Sequence, residues 1–223
     1  MRILLIGHGR MGRLVEGLAA SHGCEVAGIV TSRSGDAVLA AGADVAVDFT
    51  VGSAVRANLA RLAERGLNVV IGTTGWAADE AACREIAAQA GIGVIASPNF
   101  AVGMHVFRAL VDEAARLFAG RPDMGAYIHE AHHAAKADAP SGTALMLARA
   151  MAERGYTRTV DISSTRAGSI PGTHVVGFDG PAERVTLAHE VRDRAVFAHG
   201  ALEAARWVKG RRGWFGMRDL VGD

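Results

Sequence analysis

Between Glu130 and Asp138 the chain places two imidazoles, His132 and His133, one ammonium, Lys136, and a carboxylate at each end. The run then passes through Pro140 into Ser141-Gly142-Thr143-Ala144. Proton transfer near neutral pH needs groups of this kind, because an unperturbed imidazole titrates there and a lysine can be tuned toward it. Lys136 has added weight: the chain holds two lysines, Lys136 and Lys209, against 22 arginines, and only lysine can give up its proton. An isolated histidine or lysine reads as solvated loop, but a cluster this dense reads as a site. A metal on His132 and His133 is disfavoured, since adjacent histidines point differently and no third ligand has suitable spacing.

A second constellation lies at the start of the chain. Ile3-Leu4-Leu5-Ile6 reads as a buried strand running into Gly7-His8-Gly9-Arg10-Met11-Gly12. Leu14, Val15, Leu18 and Ala19 follow Met11 at helical spacing. Strand, G-x-G-x-x-G and helix in this order form the dinucleotide fingerprint. Gly7 permits the tight turn, Gly9 lets backbone approach a pyrophosphate, and Gly12 allows close helix–strand packing. Arg10 and Met11 complete this candidate cofactor turn at the helix N-terminus, which attracts phosphate. After the second strand, 25–30, an NAD enzyme usually carries an acidic residue for the ribose. Here Thr31-Ser32-Arg33-Ser34 stands instead, with no carboxylate before Asp36. A guanidinium suits a 2′-phosphate, so Arg33 favours NADPH, with NADH the alternative.

The elements that must position these groups alternate over the first hundred residues. Strands at 44–49, 68–71 and 93–96 are separated by helices at 51–65, with Val55, Leu59 and Leu62 as its apolar stripe, and 77–90. This pattern predicts a parallel sheet with helices on both faces. Ligands gather at the carboxyl ends of such strands, which places Gly72, Thr73, Thr74, Ser97, Pro98, Asn99 and Phe100 along the nicotinamide half of the cofactor. Beyond residue 100 the reading changes. A helix at 103–119 faces Val106, Leu110, Val111, Ala114 and Leu117 inward. A strand at 125–130 and a helix at 141–154, capped by Ser141, precede β-leaning runs at 159–165, 173–178 and 184–191. Residues 166–172 read as a flexible loop able to close over a substrate. A helix at 198–209 and a tail with exposed aromatics at 213–217 end the chain. The expected fold class is α/β: a Rossmann-like dinucleotide-binding domain plus an α+β domain with a mixed sheet.

Lysine and arginine number 24 against 23 aspartates and glutamates, so no basic excess argues for nucleic acid. Apolar runs are too short to span a bilayer, and the opening strand has no signal-peptide anatomy, which predicts a cytoplasmic protein. Cys24 and Cys83 are expected as free thiols.

Together these residues resemble the 4-hydroxy-tetrahydrodipicolinate (dihydrodipicolinate) reductase family over nearly the whole length. The resemblance rests on the early Gly-x-Gly-x-Met-Gly turn, Asp48-Phe49-Thr50, Gly72-Thr73-Thr74-Gly75, Pro98-Asn99-Phe100 and the segment from Glu130 to Ala144, which is very specific. It continues through Arg166-x-Gly168, Gly172-x-His174 and Phe197-Ala198-x-Gly200-Ala201. It implies a dinucleotide-binding domain from residues 1–100 and 198–223, a substrate and oligomerisation domain from 101–197, and a homotetramer formed through the substrate-domain sheets. It also implies catalytic proton transfer by His132 and Lys136, substrate-carboxylate contacts from His133, Gly142 and Thr143, and a small cyclic dicarboxylate substrate in lysine and diaminopimelate biosynthesis. Glu130 and Asp138 would orient or tune the proton donors. The chain departs from the family in being short, in its compact first turn, and in lacking the acidic ribose position. Two other readings are a different nicotinamide dehydrogenase acting on homoserine or a sugar, and a non-enzymatic NADP sensor. The intact His-His-x-x-Lys and Pro-Ser-Gly-Thr run weighs against both.

Overall fold

The computed structural model describes residues 1–34 and 42–222; Asp36, after the second strand, lies outside them. The chain forms two compact units, one from 1–102 and 195–223 and the other from 103–194. Among the described residues no helix is long and apolar enough to cross a membrane.

The first unit is a six-stranded parallel sheet. β1 (Arg2–Ile6), β2 (Glu25–Val30), β3 (Val45–Asp48), β4 (Asn68–Ile71), β5 (Gly93–Ala96) and β10 (Gly213–Phe215) lie in the order β10-β5-β4-β3-β1-β2. β1 shows why both faces are covered. Ile3 and Leu5 point to one core with Val47, Val70 and Ile95, while Leu4 and Ile6 point to another with Ala46, Val69 and Val94. Alternation that is apolar on both sides is the mark of a strand buried between helix layers. The first core is closed by α1 (Arg10–Ala19) and α6 (Ala195–Val208), the second by α2 (Val55–Ala63) and α3 (Glu80–Ala90). The tail expected to expose aromatics is instead β10, a sixth strand pairing with β5 and followed by α7 (Met217–Val221). Three residues are too few for a period to declare itself, and Trp214 and Phe215 are half-buried. Both cysteines are buried and free.

The second unit is a four-stranded mixed sheet in the order β7-β6-β8-β9: β6 (Gly125–His132), β7 (Val160–Arg166), β8 (Thr173–Asp179) and β9 (Arg184–Glu190). β6 runs parallel to β7 and antiparallel to β8. Ala126 and Ile128 of β6, with Val176 and Phe178 of β8, face a core shared with α4 (Val102–Ala119) and α5 (Gly142–Glu153). Phe178 stacks on Phe118 and meets Tyr156 edge-on. The inward stripe of α4 is Met104, Phe107, Val111 and Ala115. Val106, Leu110 and Leu117, expected inside, are 45, 53 and 58% exposed. The helix is apolar on more than one side, so periodicity alone did not select its buried face.

Candidate active site

The glycine turn has the geometry its sequence requires. Gly7 has φ +90° and its N–H donates to the Val30 carbonyl at 2.8 Å. A side chain there would meet the Phe49 carbonyl oxygen at 2.6 Å, and a Cβ on Gly12 would collide with the Gly7 carbonyl. Gly9, the N-cap of α1, faces open space and provides no side-chain cap, and the first turn of α1 has no acidic residue. That helix end therefore offers N–H donors and a partial positive charge to an anion. His8 Nε2 lies 2.7 Å from Glu16 Oε2, tying the turn to the helix behind it. Beyond β2, the Thr31 and Ser34 hydroxyls bond each other at 3.1 Å and the Arg33 N–H donates to Thr31 Oγ1, leaving the Arg33 side chain exposed.

At the ends of β3 and β4 the Asp48 carboxylate is buried and accepts bonds from Thr50, Asn58 and Thr73. The Thr73 hydroxyl is thus committed to holding two strand ends together. Gly72 has no room for a side chain because the Phe49 ring covers it. Ser97 Oγ bridges to Asn99, and the Phe100 ring sits in the core at 1% exposure, so Phe100 offers only backbone to a ligand. A cavity of about 450 Å³ opens beside these turns, lined among others by Thr74, Ser97, Pro98, Trp76, Arg84 and Trp214. Trp76 and Trp214 were not read from the sequence as lining residues; they come from distant segments and share no spacing.

In the second unit, Glu130 is the third inward residue of β6 after Ala126 and Ile128, and His132 follows two positions on, at the strand's end. Residues two apart on a strand share a face, which brings Glu130 Oε2 to 2.5 Å from His132 Nδ1. Glu130 is fully buried. Burial alone would raise its pKa, but donors from Arg166, Ser164, His132 and the Ser141 backbone hold it down at about 2. An ionised carboxylate only accepts hydrogen bonds, so His132 Nδ1 carries a proton and Nε2 is left for a reactant. Gly172 stands next to that nitrogen: a Cβ there would lie 3.3 Å from Nε2. The His174 ring meets the His132 ring edge-on at 5.2 Å, and burial lowers its pKa to about 4. Of the loop expected to be flexible, the first residues are tied down. Arg166 closes β7 with its guanidinium on Glu130, Ala167 N–H donates to the His132 carbonyl, and Ala134 N–H to that of Gly168.

Lys136 follows in a turn, its N–H on the His133 carbonyl and its Nζ 2.7 Å from Asp138 Oδ1. Asp138 is held below its ordinary range chiefly by Lys136, with the Gly142 N–H adding to it. Lys136 and the start of α5, where Ser141 Oγ caps the Ala144 N–H, therefore already grip one carboxylate, the chain's own. Gly142 and Thr143 occupy the first turn of that helix, and His133 lies just past β6.

A parallel sheet wrapped by helices with a glycine-rich first turn, joined to a mixed-sheet unit, defines a two-domain dehydrogenase-type fold. Solved structures share it: a dipicolinate-bound dihydrodipicolinate reductase from Paenisporosarcina sp. TG-14 superposes with a TM-score of 0.85 at 21% identity, covering 97% of each chain. A myo-inositol dehydrogenase from Corynebacterium glutamicum gives 0.62 at 17% identity, covering 99% of this chain and 92% of its own. Sequence comparison is sharper. Residues 1–100 match the family model for the N-terminus of dihydrodipicolinate reductase, and 103–221 match that for its C-terminus. A 4-hydroxy-tetrahydrodipicolinate reductase of Rhodopseudomonas palustris (strain BisA53) is 38% identical across 100% of this chain and 97% of its own length. One from Thiobacillus denitrificans is 39% identical across 100% and 98%. The chain belongs to the dihydrodipicolinate reductase family.

Proposed function

We propose that the chain reduces 4-hydroxy-tetrahydrodipicolinate to tetrahydrodipicolinate, consuming one NADPH and one proton and releasing one water, in lysine and diaminopimelate biosynthesis. The observation that carries this reading is the grip of Lys136 and the α5 start on the Asp138 carboxylate, in the same strand and turn as the Glu130–His132 pair. A cyclic dicarboxylate offers a carboxylate to replace that of Asp138, with His133, Gly142 and Thr143 as further contacts.

The first unit's glycine turn fits a dinucleotide: Gly7, Gly9, Arg10, Met11 and Gly12 would hold the pyrophosphate, and Gly72, Thr73, Thr74 and residues 97–100 the nicotinamide. When bound, that group supplies a hydride. Arg33 and the hydroxyls beside it favour NADPH through its 2′-phosphate, with NADH as the alternative. The 4-hydroxyl leaves as water together with a proton from the neighbouring ring carbon, which gives the conjugated ring; hydride addition where the hydroxyl stood then leaves electron density on that neighbouring carbon and the nitrogen. In its imidazolium form His132, oriented through Nδ1–H by Glu130, donates from Nε2 the one proton that the net reduction consumes, while Lys136 anchors the anion and protonates the departing hydroxyl, regaining the proton that the ring carbon loses. The assembly is a homotetramer, supported by a sheet face in the second unit on which Tyr127, His129 and Val175 are only half-buried in one chain.

Turnover with cofactor dideuterated at nicotinamide C4 tests the reaction. One deuterium should appear on the reduced ring carbon of tetrahydrodipicolinate; product lacking the label would overturn the proposed hydride route.

A further inference from the structure

We propose that Arg166 is a positioning residue that sets both proton-donating groups at once, holding His132 through Glu130 and the Lys136 turn through the backbone of Asp138. This rests on the reading of His132 and Lys136 given above and extends it to a residue with no assigned role.

The geometry is specific. In the parallel β6–β7 pairing Arg166 stands opposite His132, so its side chain reaches across to Glu130. Its NH1 donates to Glu130 Oε2 at 2.9 Å and its NH2 to Oε1 at 2.6 Å, the two-pronged fit of guanidinium on carboxylate. The same NH2 donates to the Asp138 carbonyl at 2.6 Å, and NH1 to the Thr165 carbonyl at 2.8 Å. Both Glu130 oxygens are thereby occupied: Oε1 by Arg166 and the Ser141 N–H, Oε2 by Arg166 and His132.

Two consequences follow. A buried carboxylate without a cation takes up a proton rather than stay charged. A protonated Glu130 no longer selects the Nδ1–H form of His132. The groups facing His132 are Glu130 on its own strand, Arg166 on β7 and the neutral His174 on β8, with Lys136 and Asp138 in the following turn. Arg166 is the cation paired directly with Glu130. Its second contact ties the Asp138 backbone, and with it the Lys136 turn, to the strand that carries the imidazole. A lysine at 166 would restore the charge but not the fork.

The test is a double-mutant cycle with a pH profile. Arg166→Gln should lower kcat about 10–100-fold, as loss of a residue that orients a reacting ligand does, with KM for the cofactor little changed. A new acid limb should appear in or above the ordinary carboxylate range, and Arg166→Lys should recover activity in part. In the His132→Gln background the Arg166→Gln penalty should shrink severalfold, leaving the part exerted through the Lys136 turn. A penalty undiminished in that background, or a pH profile identical to wild type, would overturn the proposal. Should Arg166→Gln fail to fold, nitrogen-15 NMR of the wild-type imidazole decides: a neutral His132 in the Nδ1–H tautomer supports the arrangement, and a neutral His132 in the Nε2–H tautomer refutes it. The NMR reading needs no turnover, so an inactive wild type would count against the functional reading alone.

Discussion

His132→Gln removes the proposed proton donor while keeping a side chain of similar reach. Turnover should fall by about 10²–10⁴, the usual contribution of general acid catalysis, with cofactor affinity within about threefold; steady-state kinetics beside fluorescence titration of the cofactor checks both. Near-normal turnover would take His132 out of the chemistry. Arg33→Asp places a carboxylate where a 2′-phosphate would sit and should weaken NADPH about tenfold or more while sparing NADH. At this scale the sequence was most legible where chemistry is packed locally. Glu130, His132 and Lys136 announced themselves by type and spacing, and the pairing of Glu130 with His132 follows from the period of a strand. Arg166 and His174 were visible only as motif letters, because their placement depends on the register of β7 and β8 against β6. Sequence separation conceals such pairings.

The β1 turn and α1 form one device, and Gly12 is where it is tightest. Gly12→Val would drive a side chain into the Gly7 carbonyl, lowering dinucleotide affinity by about tenfold or more and the melting temperature with it; calorimetric titration and thermal melting read both. The β6–β8 pair makes a different prediction, for pH. His174 has a folded-state pKa of about 4 against 6.5, so its contribution to stability is complete above 6.5 and lost as pH falls from 6.5 to about 4. Glu130, at about 2 against 4.5, contributes fully above 4.5 and loses that contribution below it. Urea midpoints at stepped pH should therefore decline in two overlapping stages, and His174→Gln should flatten the upper one while leaving the lower. The central parallel strands β1, β3, β4 and β5, buried on both faces, were plain from their apolar runs. The inward face of α4 and the strand β10 were not, the first because two apolar stripes compete, the second because three residues carry no period.

On the proposed function, the molecule divides its labour between two units drawn from interleaved stretches of chain: dinucleotide chemistry on the parallel sheet, substrate and proton chemistry on the mixed one. The half-buried outer face of the mixed sheet should be covered in a homotetramer. Light scattering on the purified protein should return four times 23.2 kDa, and Val175→Glu should yield smaller species. The whole reading stands on one assay: nicotinamide oxidation, with NADPH and NADH in parallel, on substrate formed in situ from pyruvate and aspartate semialdehyde. Rapid oxidation that depends on that substrate, faster with NADPH, is the expected result. Folded protein that binds NADPH and leaves it unoxidised would contradict the assigned reaction.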